Sequence, residues 1–565
     1  MTAPLQLRRL CAFATAAVVL AACGGGGDDG GEPLTQAEAK EELDELLEGI
    51  DWLDDPVTRR ASIPPPTEAT LAATLPPIDE FPLVVAAPSG AGVAAEVFAS
   101  TEKSGDDTDG WMVEVAEDFN ASGTQLSDGS AAAIEVRRIP SGIGYQFIAS
   151  GEYIPAGFSP SNQLWIEMAS VFQPVTEVAD GLVPNVAGIV MKSETATELS
   201  ATYGELDASA LIEGVIAGDV VMGYADPFAS STGLNFLLTV LDDIADGDQS
   251  RLTDPDVASV FEQFQRQVPF VALTTLQLRE SVEADNGTLD AFVMEYQTYI
   301  NTDSLSSGFE FFPFGVTHEN PLYAVGDAPP DKVEALEAFA AFAAMDDAQS
   351  LAQRLGFEPP AYTSEVDIPS GSTLIDVQAV WKDKKDGGRP VATVFVADTS
   401  GSMSGTRIAA LQRAMLSARE FIKPETSVGV VEFNDVATLR LPVAEFDLNQ
   451  QGRYVALVED LIPEGGTAMY DGIVLGLSML TEEVEANSEI RPVLVVLSDG
   501  QTTSGLGFDD VADVIEGLRI PVFTVGFEAD LDELGRLSSL VEAASLDANE
   551  ADVEFKIASL FNAGG

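Results

Sequence analysis

The chain has 565 residues, which is too many for a single hydrophobic core and predicts two or three domains. A hydrophobic content of 46% with 21% charged residues excludes wholesale disorder. The 92 acidic and 28 basic side chains give a net charge of −64, so the surface repels nucleic acid and neither nucleic acid nor an anionic lipid headgroup is expected as a ligand. Two explanations of the charge stay open: solubility outside the cell, and adaptation to a saline environment whose counterions screen the self-repulsion.

The N-terminus has the layout of a secretory signal. Two arginines precede the apolar stretch Leu10–Ala22, which is too short to span a bilayer. The stretch runs into Cys23 through Leu-Ala-Ala, a sequence that resembles a bacterial lipobox. The resemblance implies that residues 1–22 are a lipoprotein signal peptide, that Cys23 is lipidated, and that the protein is anchored at the extracytoplasmic face of the cell membrane. A simple cleaved signal with an incidental cysteine is the alternative.

Residues 23–81 are predicted to connect this anchor to the globular part. The glycine-rich run 24–31 is a flexible tether. Thr35 to about Leu53 is predicted to be a short amphipathic helix, because Thr35 and Glu38 have capping-box spacing. The proline runs at 64–66 and 76–77 mark a semi-rigid spacer. The segment is expected to lift the protein off the membrane, or to dock its helix on the first domain.

From residue 82 to about 360 the pattern changes to strand-helix alternation. Apolar runs at Leu83–Ala87, Gly188–Met191 and Val220–Tyr224 are predicted to be buried strands, each followed by helical or turn-rich sequence. Such alternation predicts an α/β domain, and its length predicts two lobes.

Three stretches of this region resemble type 2 periplasmic solute-binding proteins. They are Gly157–Trp165, Ala225–Gly233 and the closing helices Lys332–Phe357. The resemblance implies a two-lobed domain with a cleft for a small solute. It also implies an alternative function for the whole chain, as the capture component of an ABC-type importer that delivers to a permease.

Small hydroxyl residues are the candidate ligand-binding groups of that cleft. Ser230, Ser231 and Thr232 precede the apolar helix Leu234–Leu241 and can present its free N–H groups to an oxyanion. Comparable turns contain Ser89 and Ser141. The alternative is that all of these residues are helix caps and loops without a ligand. Three aromatic residues could line the cleft but are expected in the core: Tyr145, Phe158 and Trp165.

Residues 361–388 are predicted to be a linker, since they are rich in Pro, Ser and Gly. The segment contains the most basic patch of the chain, Lys382, Lys384 and Lys385. These lysines are expected either in a solvated hairpin or in a contact with the acidic neighbouring domain.

The segment from residue 389 to 565 begins with the strongest motif of the chain. The apolar run Val391–Ala397 predicts a strand buried on both faces of a parallel sheet, and it is followed by Asp398, Ser400 and Ser402. The carboxyl ends of strands face the binding crevice in open α/β sheets. Oxygen ligands at that position suit a hard cation such as Mg²⁺.

Two further motifs make this segment resemble a von Willebrand factor type A domain. Thr467 follows two glycines and precedes a helix-like stretch, and the apolar run Val493–Leu497 leads to Asp499. The resemblance implies a doubly wound, Rossmann-like fold and a metal ion-dependent adhesion site made of Asp398, Ser400, Ser402, Thr467 and Asp499. The expected ion is Mg²⁺, with Mn²⁺ or Ca²⁺ as substitutes. The alternative is a domain of the same fold whose loop no longer holds a metal.

The charges of such a site predict binding and not catalysis. Two carboxylates leave Mg²⁺ under-neutralised, with a position that a carboxylate of a protein or surface partner can take. The chain has one histidine, His318, which is expected to be structural, so Ser-His and Cys-His catalysis have no base. The sequence therefore predicts a non-enzymatic surface lipoprotein with Mg²⁺-dependent recognition and solute binding in its two-lobed domain. A metal-dependent hydrolase is the weaker alternative.

Overall fold

The computed structural model describes residues 34–63, 70–204, 206–275, 278–279, 289–364, 366–500, 502–527, 531–540 and 545–563. The signal sequence, Cys23, the glycine tether and the first proline run lie outside these ranges. Within them, no helix combines the length and the hydropathy that crossing a bilayer requires.

The described chain starts with a helix and a short strand. Helix α1 is Gln36–Gly49 and strand β1 is Trp52–Asp54. The predicted capping box is present, because the Thr35 hydroxyl accepts from the Glu38 N–H and the Glu38 carboxylate accepts from the Thr35 N–H. The helix is shorter than predicted, since the chain is already extended at Ile50.

Residues 83–179 supply most of the first lobe. Its elements are β2 (Leu83–Val85), β3 (Val93–Ala99), α2 (Thr101–Ser104), α3 (Trp111–Ser122), β4 (Ala132–Arg138), α4 (Ser141–Ser150), β5 (Gly157–Ser159), α5 (Leu164–Ser170) and β6 (Val175–Ala179). The prediction that the first strand is buried is wrong, because β2 is an antiparallel edge strand next to β4 with Leu83 exposed.

The chain then crosses to the second lobe. Its elements are β7 (Val186–Lys192), α6 (Ser193–Tyr203), α7 (Ala208–Ala217), β8 (Met222–Ala225), α8 (Ser231–Ile244), α9 (Pro255–Gln265), β9 (Phe270–Ala272), β10 (Ala291–Glu295), α10 (Tyr296–Ile300) and β11 (Phe309–Thr317). The five strands form one sheet in the order β11-β7-β10-β8-β9. The predicted strands at 188–191 and 220–224 correspond to β7 and β8.

A return crossing completes the first lobe. It adds β12 (Leu322–Val325), α11 (Pro330–Ala343) and α12 (Asp346–Arg354). The first lobe then has one six-stranded sheet in the order β2-β4-β3-β5-β12-β6. Two separate α/β sheets joined by two crossings confirm the predicted two-lobed domain. Tyr145, Phe158 and Trp165 lie in its core, with at most 5% of each residue exposed.

The segment predicted to be a linker contains helix α13 (Gly371–Lys384). Its apolar side packs against α5, α8 and α9, and Trp381 is fully buried with its indole N–H donating to the Tyr224 hydroxyl at 2.7 Å. Lys384 pairs with Glu262 at 2.9 Å, and the buried Lys385 donates to the Phe561 carbonyl at 2.9 Å. These two lysines therefore make contacts between parts of the protein, and neither lies in a hairpin.

The last part of the chain is a doubly wound domain. Its elements are β13 (Val391–Asp398), α14 (Thr406–Phe421), β14 (Ser427–Phe433), β15 (Ala437–Glu445), α15 (Leu448–Asp460), α16 (Met469–Ala486), β16 (Arg491–Ser498), α17 (Phe508–Leu518), β17 (Val522–Phe527), α18 (Leu531–Ser539), β18 (Ser545–Ala548) and α19 (Val553–Ala563). The sheet order is β1-β15-β14-β13-β16-β17-β18, and the pair β14-β15 is antiparallel. As predicted, β13 and β16 are interior strands.

The N-terminal elements belong to the doubly wound domain and not to a spacer. Strand β1 pairs in parallel with β15, with Leu53 opposite Thr438, and α1 packs against α16 and α17. Ala39 and Leu43 of α1 are fully buried in the core on that side of the sheet. This differs from the expected spacer, and from the expected docking on the first domain, because partners some 400 residues away in the sequence complete the fold of the segment.

Short 3₁₀ turns occur at Leu71–Thr74, Ile78–Glu80, Asp107–Asp109, Gln249–Arg251, Asp303–Leu305 and Gly401–Met403.

Candidate metal centre

The predicted metal-binding residues lie at the carboxyl edge of the doubly wound sheet. Strand β13 ends at Asp398 and β16 ends at Ser498, so their following loops emerge side by side at the centre of the sheet. Asp398 and Ser400 are at most 1% exposed, while Ser402 is exposed. The inner part of the cluster is therefore buried, and its outer part is open to solvent.

The first loop is held in shape by its own hydrogen bonds. The Asp398 carboxylate accepts from the Ser400 N–H at 2.8 Å and from the Ser498 hydroxyl at 2.6 Å. The Ser400 and Ser402 hydroxyl oxygens are 2.9 Å apart. Two hydroxyls and one carboxylate are thus pre-arranged on one turn.

The loop that carries Thr467 is tied directly to this turn. The Gly401 N–H donates to the Gly465 carbonyl at 3.1 Å, and the Glu464 N–H donates to the Thr399 carbonyl at 2.8 Å. Thr467 is 4% exposed, and its N–H donates to the Thr503 hydroxyl at 2.9 Å. The structure therefore places all five predicted residues on three loops at one edge.

Asp499 is the least satisfied member of the cluster. Its Oδ2 accepts from the Arg407 guanidinium at 3.1 Å, whereas its Oδ1 is buried without a hydrogen-bond partner. Burial raises the pKa of the neighbouring Asp398, and the negative charge of Asp499 adds to that rise. A buried carboxylate oxygen without a partner is costly, so this edge has unused capacity for a cation or a donor.

The chemistry of these groups fits a hard divalent ion. Carboxylate and hydroxyl oxygens are the ligands of Mg²⁺ and Ca²⁺, and Asp499 Oδ1 provides a lone pair that no protein group uses. Across the described ranges, no group of three or more His, Cys, Asp or Glu side chains is arranged for a metal. Hydroxyls would therefore have to supply part of the coordination here.

Three further residues contribute to this edge and were not predicted from the sequence. Ser498 holds the second carboxylate oxygen of Asp398, Arg407 neutralises part of Asp499, and Asp435 accepts from the Gly466 N–H at 2.7 Å. Arg407 could have been found, because it is the first cation after the acidic loop. Asp435 and Ser498 carry no such signal.

The candidate solute-binding residues divide into two groups. Ser141, Ser230, Ser231 and Thr232 lie between the lobes and are at most 6% exposed. Ser89 does not join them, because it lies in an exposed turn between β2 and β3, at the opposite end of the first sheet. The Ser230 hydroxyl caps α8 by accepting from the Gly233 N–H at 3.2 Å, which is the predicted alternative to ligand contact.

The two lobes touch directly at this position. The Gly142 N–H donates to the Ala229 carbonyl at 3.0 Å, and the Trp165 indole donates to the Ser231 hydroxyl at 3.0 Å. A Cβ at residue 142 would lie 2.1 Å from the Phe228 carbonyl oxygen, so only glycine allows this approach. The cleft is closed by backbone contact.

Behind that contact lies the interlobe cluster, which we define as Asn162, Asn185, Asn235, Glu295 and His318. His318 Nδ1 is 2.8 Å from Glu295 Oε1, and its Nε2 is 3.1 Å and 3.2 Å from the amide nitrogens of Asn162 and Asn235. The Asn185 amide donates to Glu295 Oε2 at 2.7 Å. Each polar group has a protein partner, and His318 is fully buried, in agreement with its predicted structural role.

A buried pair beside the cleft, Glu102 and Lys103, was also not predicted from the sequence. Lys103 is fully buried and donates to the Ser100 hydroxyl at 2.6 Å, while Glu102 accepts from the Ser161 hydroxyl at 3.2 Å. Burial raises the pKa of Glu102 to about 7, helped by the charge of Glu295, and burial lowers the pKa of Lys103 to about 7. These residues follow β3, but no local pattern indicates that their side chains are buried.

Comparison with known proteins identifies the family of the doubly wound domain. Residues 393–557 match the family model of the von Willebrand factor type A domain. The inter-alpha-trypsin inhibitor heavy chain H3 of Mesocricetus auratus is 28% identical over 158 residues, which is 25% of this chain and 17% of that protein. The chain thus spans about a sixth of the length of the relatives it matches. This part of the protein is a type A domain.

Solved structures are similar to each region separately. A von Willebrand factor type A protein from Catenulispora acidiphila has 18% identity and a TM-score of 0.28, covering 31% of this chain and 42% of its own. The periplasmic binding protein AfuA from Actinobacillus pleuropneumoniae has 11% identity and a TM-score of 0.38, covering 52% of this chain and 98% of its own. The two lobes are defined by the six-stranded and the five-stranded sheet.

Proposed function

We propose that the protein binds a carboxylate-bearing protein or surface partner through a Mg²⁺ ion held by Asp398, Ser400, Ser402, Thr467 and Asp499. The observation that carries the proposal is the unpartnered, buried Oδ1 of Asp499 at the edge where the other four residues meet. When bound, the ion would supply a positive centre that accepts an external carboxylate oxygen. The protein side chains hold that centre at the open end of the sheet.

The surface around the cluster supports docking of a macromolecule. Ile462 lies three residues before Gly465 in the loop tied to the first turn, and it is 69% exposed. Ser402 and Glu464 on the same rim are also exposed. An exposed apolar side chain beside polar groups is typical of a contact surface.

The proposal is tested by retention on a carboxylated surface. The purified chain is passed over a carboxymethyl-dextran layer in Mg²⁺ and again in EDTA, with an ethanolamine-blocked layer as the reference. At a net charge of −64 the protein is repelled in EDTA, and retention is expected only in Mg²⁺. Asp398→Asn should abolish that retention, because it removes one charged ligand and keeps the shape.

The matched control is Asp435→Asn, which removes an equal charge from a neighbouring loop but none of the five proposed ligands. It should be retained like the wild type. Equal retention of Asp398→Asn would mean that Mg²⁺ bridges surface acids without a specific site, and the proposal would fail.

A second candidate function is capture of a small solute by the two-lobed domain, as part of an importer. The buried serine and threonine hydroxyls between the lobes favour it. The Gly142–Ala229 contact opposes it in the closed form, since a solute must part the lobes before it enters. Small-angle scattering with and without candidate solutes tests it, because capture requires an open state in their absence.

We also propose that Cys23 anchors the chain to the extracytoplasmic face of the membrane. The support is the lipobox-like sequence and the glycine tether that follows it. Cys23→Ser should move the protein from the membrane fraction to the soluble fraction. Full membrane retention after a salt wash would show that another segment holds it.

A further inference from the structure

A cavity of about 690 Å³ lies at the other end of the type A sheet from the metal centre. Four parts of the chain form its walls: α1, the turn after α9 in the second lobe, the segment between α13 and β13, and the type A domain from the end of α16 to the start of β16 and at the end of α17. A ligand in this cavity would touch both domains at once.

The cavity reverses the charge balance of the protein. Its walls carry five cationic side chains and two carboxylates, whereas acidic residues outnumber basic ones by 92 to 28 in the whole chain. The cations are Lys40, Arg266, Arg389, Arg491 and Arg519, and the carboxylates are Asp386 and Glu485. Such a concentration of guanidinium groups in so acidic a protein creates a local positive potential.

Part of this charge is neutralised within the protein. Lys40 pairs with Glu485 at 3.1 Å, and Arg266 pairs with Glu489. Asp386 accepts from Lys423 at 2.6 Å and lies 3.9 Å from Lys385, so two lysines outside the cavity wall already balance it.

Three arginines are left without a carboxylate partner among the described residues. Arg389 donates only to backbone carbonyls, those of Glu489 and Ile490, at 3.0 and 3.2 Å. Arg491 lies near Asp386 without forming an ion pair, and Arg519 forms none. Burial lowers the pKa of Arg389, and the charges of Arg491 and Arg266 lower it further. Like charges are thus held together with Asp386 as the nearby counter-charge and without a direct ion pair to any of the three arginines.

The rest of the wall is apolar, so the cavity is not a simple ion-exchange surface. Its apolar residues include Val268, Val484, Ile490, Leu518 and Ile520. Arginine forks bind carboxylates and phosphates in pairs of hydrogen bonds, and apolar walls strengthen such bonds by excluding water.

We propose that this cavity binds a small anion with two or more negative charges, either a phosphate compound or a polycarboxylate. Arg389, Arg491 and Arg519 supply the recognition. Arg266 comes from the second lobe and lies close enough to Arg389 to lower its pKa, so a bound anion contacts both domains and stabilises the junction between them. The site is independent of the metal centre and of its proposed function.

The test uses inorganic diphosphate and citrate as probes with the full chain, in EDTA so that no metal contributes. Each anion is compared with NaCl at equal ionic strength, because any salt screens this acidic protein. We expect either anion at millimolar concentration to raise the melting temperature by about 2 °C or more above the NaCl control. Stronger stabilisation by diphosphate than by citrate would identify the phosphate class, and the reverse the carboxylate class.

Two variants make the test specific. Arg519→Asn removes one charge, and asparagine tolerates the left-handed backbone at this position, where φ is 56°. Arg491→Gln removes a second charge, at the start of β16. Each should weaken binding in titration calorimetry by about fivefold or more. The control Arg413→Gln, an arginine paired with Glu550 and Glu554 on α14, should bind like the wild type. No stabilisation of the wild type by either anion, or equal affinities in all variants, would overturn the proposal.

Discussion

The candidate metal centre and the interlobe cluster are built in the same way but differ in whether their buried carboxylates have all their hydrogen bonds. Both collect polar side chains from loops and crossings at the ends of strands, and both contain buried carboxylates. In the interlobe cluster, Glu295 is satisfied by His318 and Asn185. At the metal centre, Asp499 keeps one buried oxygen without a partner, and the neighbouring Ser402 is open to solvent.

The difference separates a structural polar cluster from a site that has room for a ligand. A buried carboxylate whose hydrogen bonds are all made inside the protein contributes to fold stability, and disturbing it leaves its partners unpaired. A carboxylate with an unused oxygen gains from an external cation. We therefore expect mutations in the interlobe cluster to change stability and mutations at the candidate metal centre to change binding.

The largest effect is expected for His318→Ala. This change removes one of the partners of Glu295, and it takes away the acceptor that the amides of Asn162 and Asn235 share. Unfolding in urea should show a loss of about 3 kcal/mol, because a buried charge and two buried donors lose a partner.

The matched change at the candidate metal centre is Asp398→Asn, measured by the same unfolding in urea with EDTA in the buffer. Burial and the neighbouring Asp499 raise the pKa of Asp398, so its charge is unfavourable in the metal-free fold. The variant should be as stable as the wild type or slightly more stable. If both variants lose the same stability, the distinction between the two clusters is invalid.

Asp226 is a third buried carboxylate, and its effect on the free energy of unfolding is expected to depend on pH. Burial raises the pKa of Asp226 from 3.8 to about 7. The folded protein therefore holds a proton that the unfolded chain has released, and this group lowers the free energy of unfolding as the pH rises from about 4 to about 7. Asp226→Asn has no such proton and can still accept from the Phe228 N–H.

The free energy of unfolding of Asp226→Asn relative to the wild type should rise by on the order of 2 kcal/mol between pH 5 and pH 8. Urea titrations at the two pH values measure this difference, and the other acids of the chain cancel between the proteins. A constant difference between the two pH values would show that Asp226 is ionised throughout.

A smaller effect is expected for Arg407→Gln. The guanidinium donates to Asp499 Oδ2 at 3.1 Å and occupies the place of a positive partner next to the proposed ion. Its removal should strengthen Mg²⁺ binding by about fivefold, the size of a partly exposed ion pair of about 1 kcal/mol. Titration calorimetry compares it with Arg413→Gln on the same helix, which should not differ from the wild type. Weaker binding by Arg407→Gln would assign the arginine a supporting role instead.

Much of the type A region could be predicted from local sequence. The run Val391–Ala397 is apolar at every position except Thr393, which is typical of a strand with helices on both faces, and the acidic loop follows it directly. The central positions of β13 and β16 followed from this pattern. The same reasoning identified two lobes but placed Leu83 in a core, because a short apolar run does not distinguish an edge strand from a buried one.

The remaining features depend on contacts between distant parts of the chain. Trp52 pairs with Ala437, and the interlobe cluster joins residues from 162 to 318 that lie on both lobes. No local pattern carries that information. The segment that contains helix α13 was predicted to be a linker because it is rich in Pro, Ser and Gly, although Trp381 is a residue that a flexible linker has no reason to contain.

Titration calorimetry with Mg²⁺ on the wild type, Asp499→Asn and Asp435→Asn tests the central claim most directly. Asp499→Asn removes the charge of the carboxylate with the unused oxygen, and Asp435→Asn removes an equal charge from the adjacent loop. The account predicts one ion per chain with similar affinity in the wild type and Asp435→Asn, and affinity at least about tenfold weaker in Asp499→Asn. Equal affinities in all three proteins, or no binding by the wild type, would contradict it.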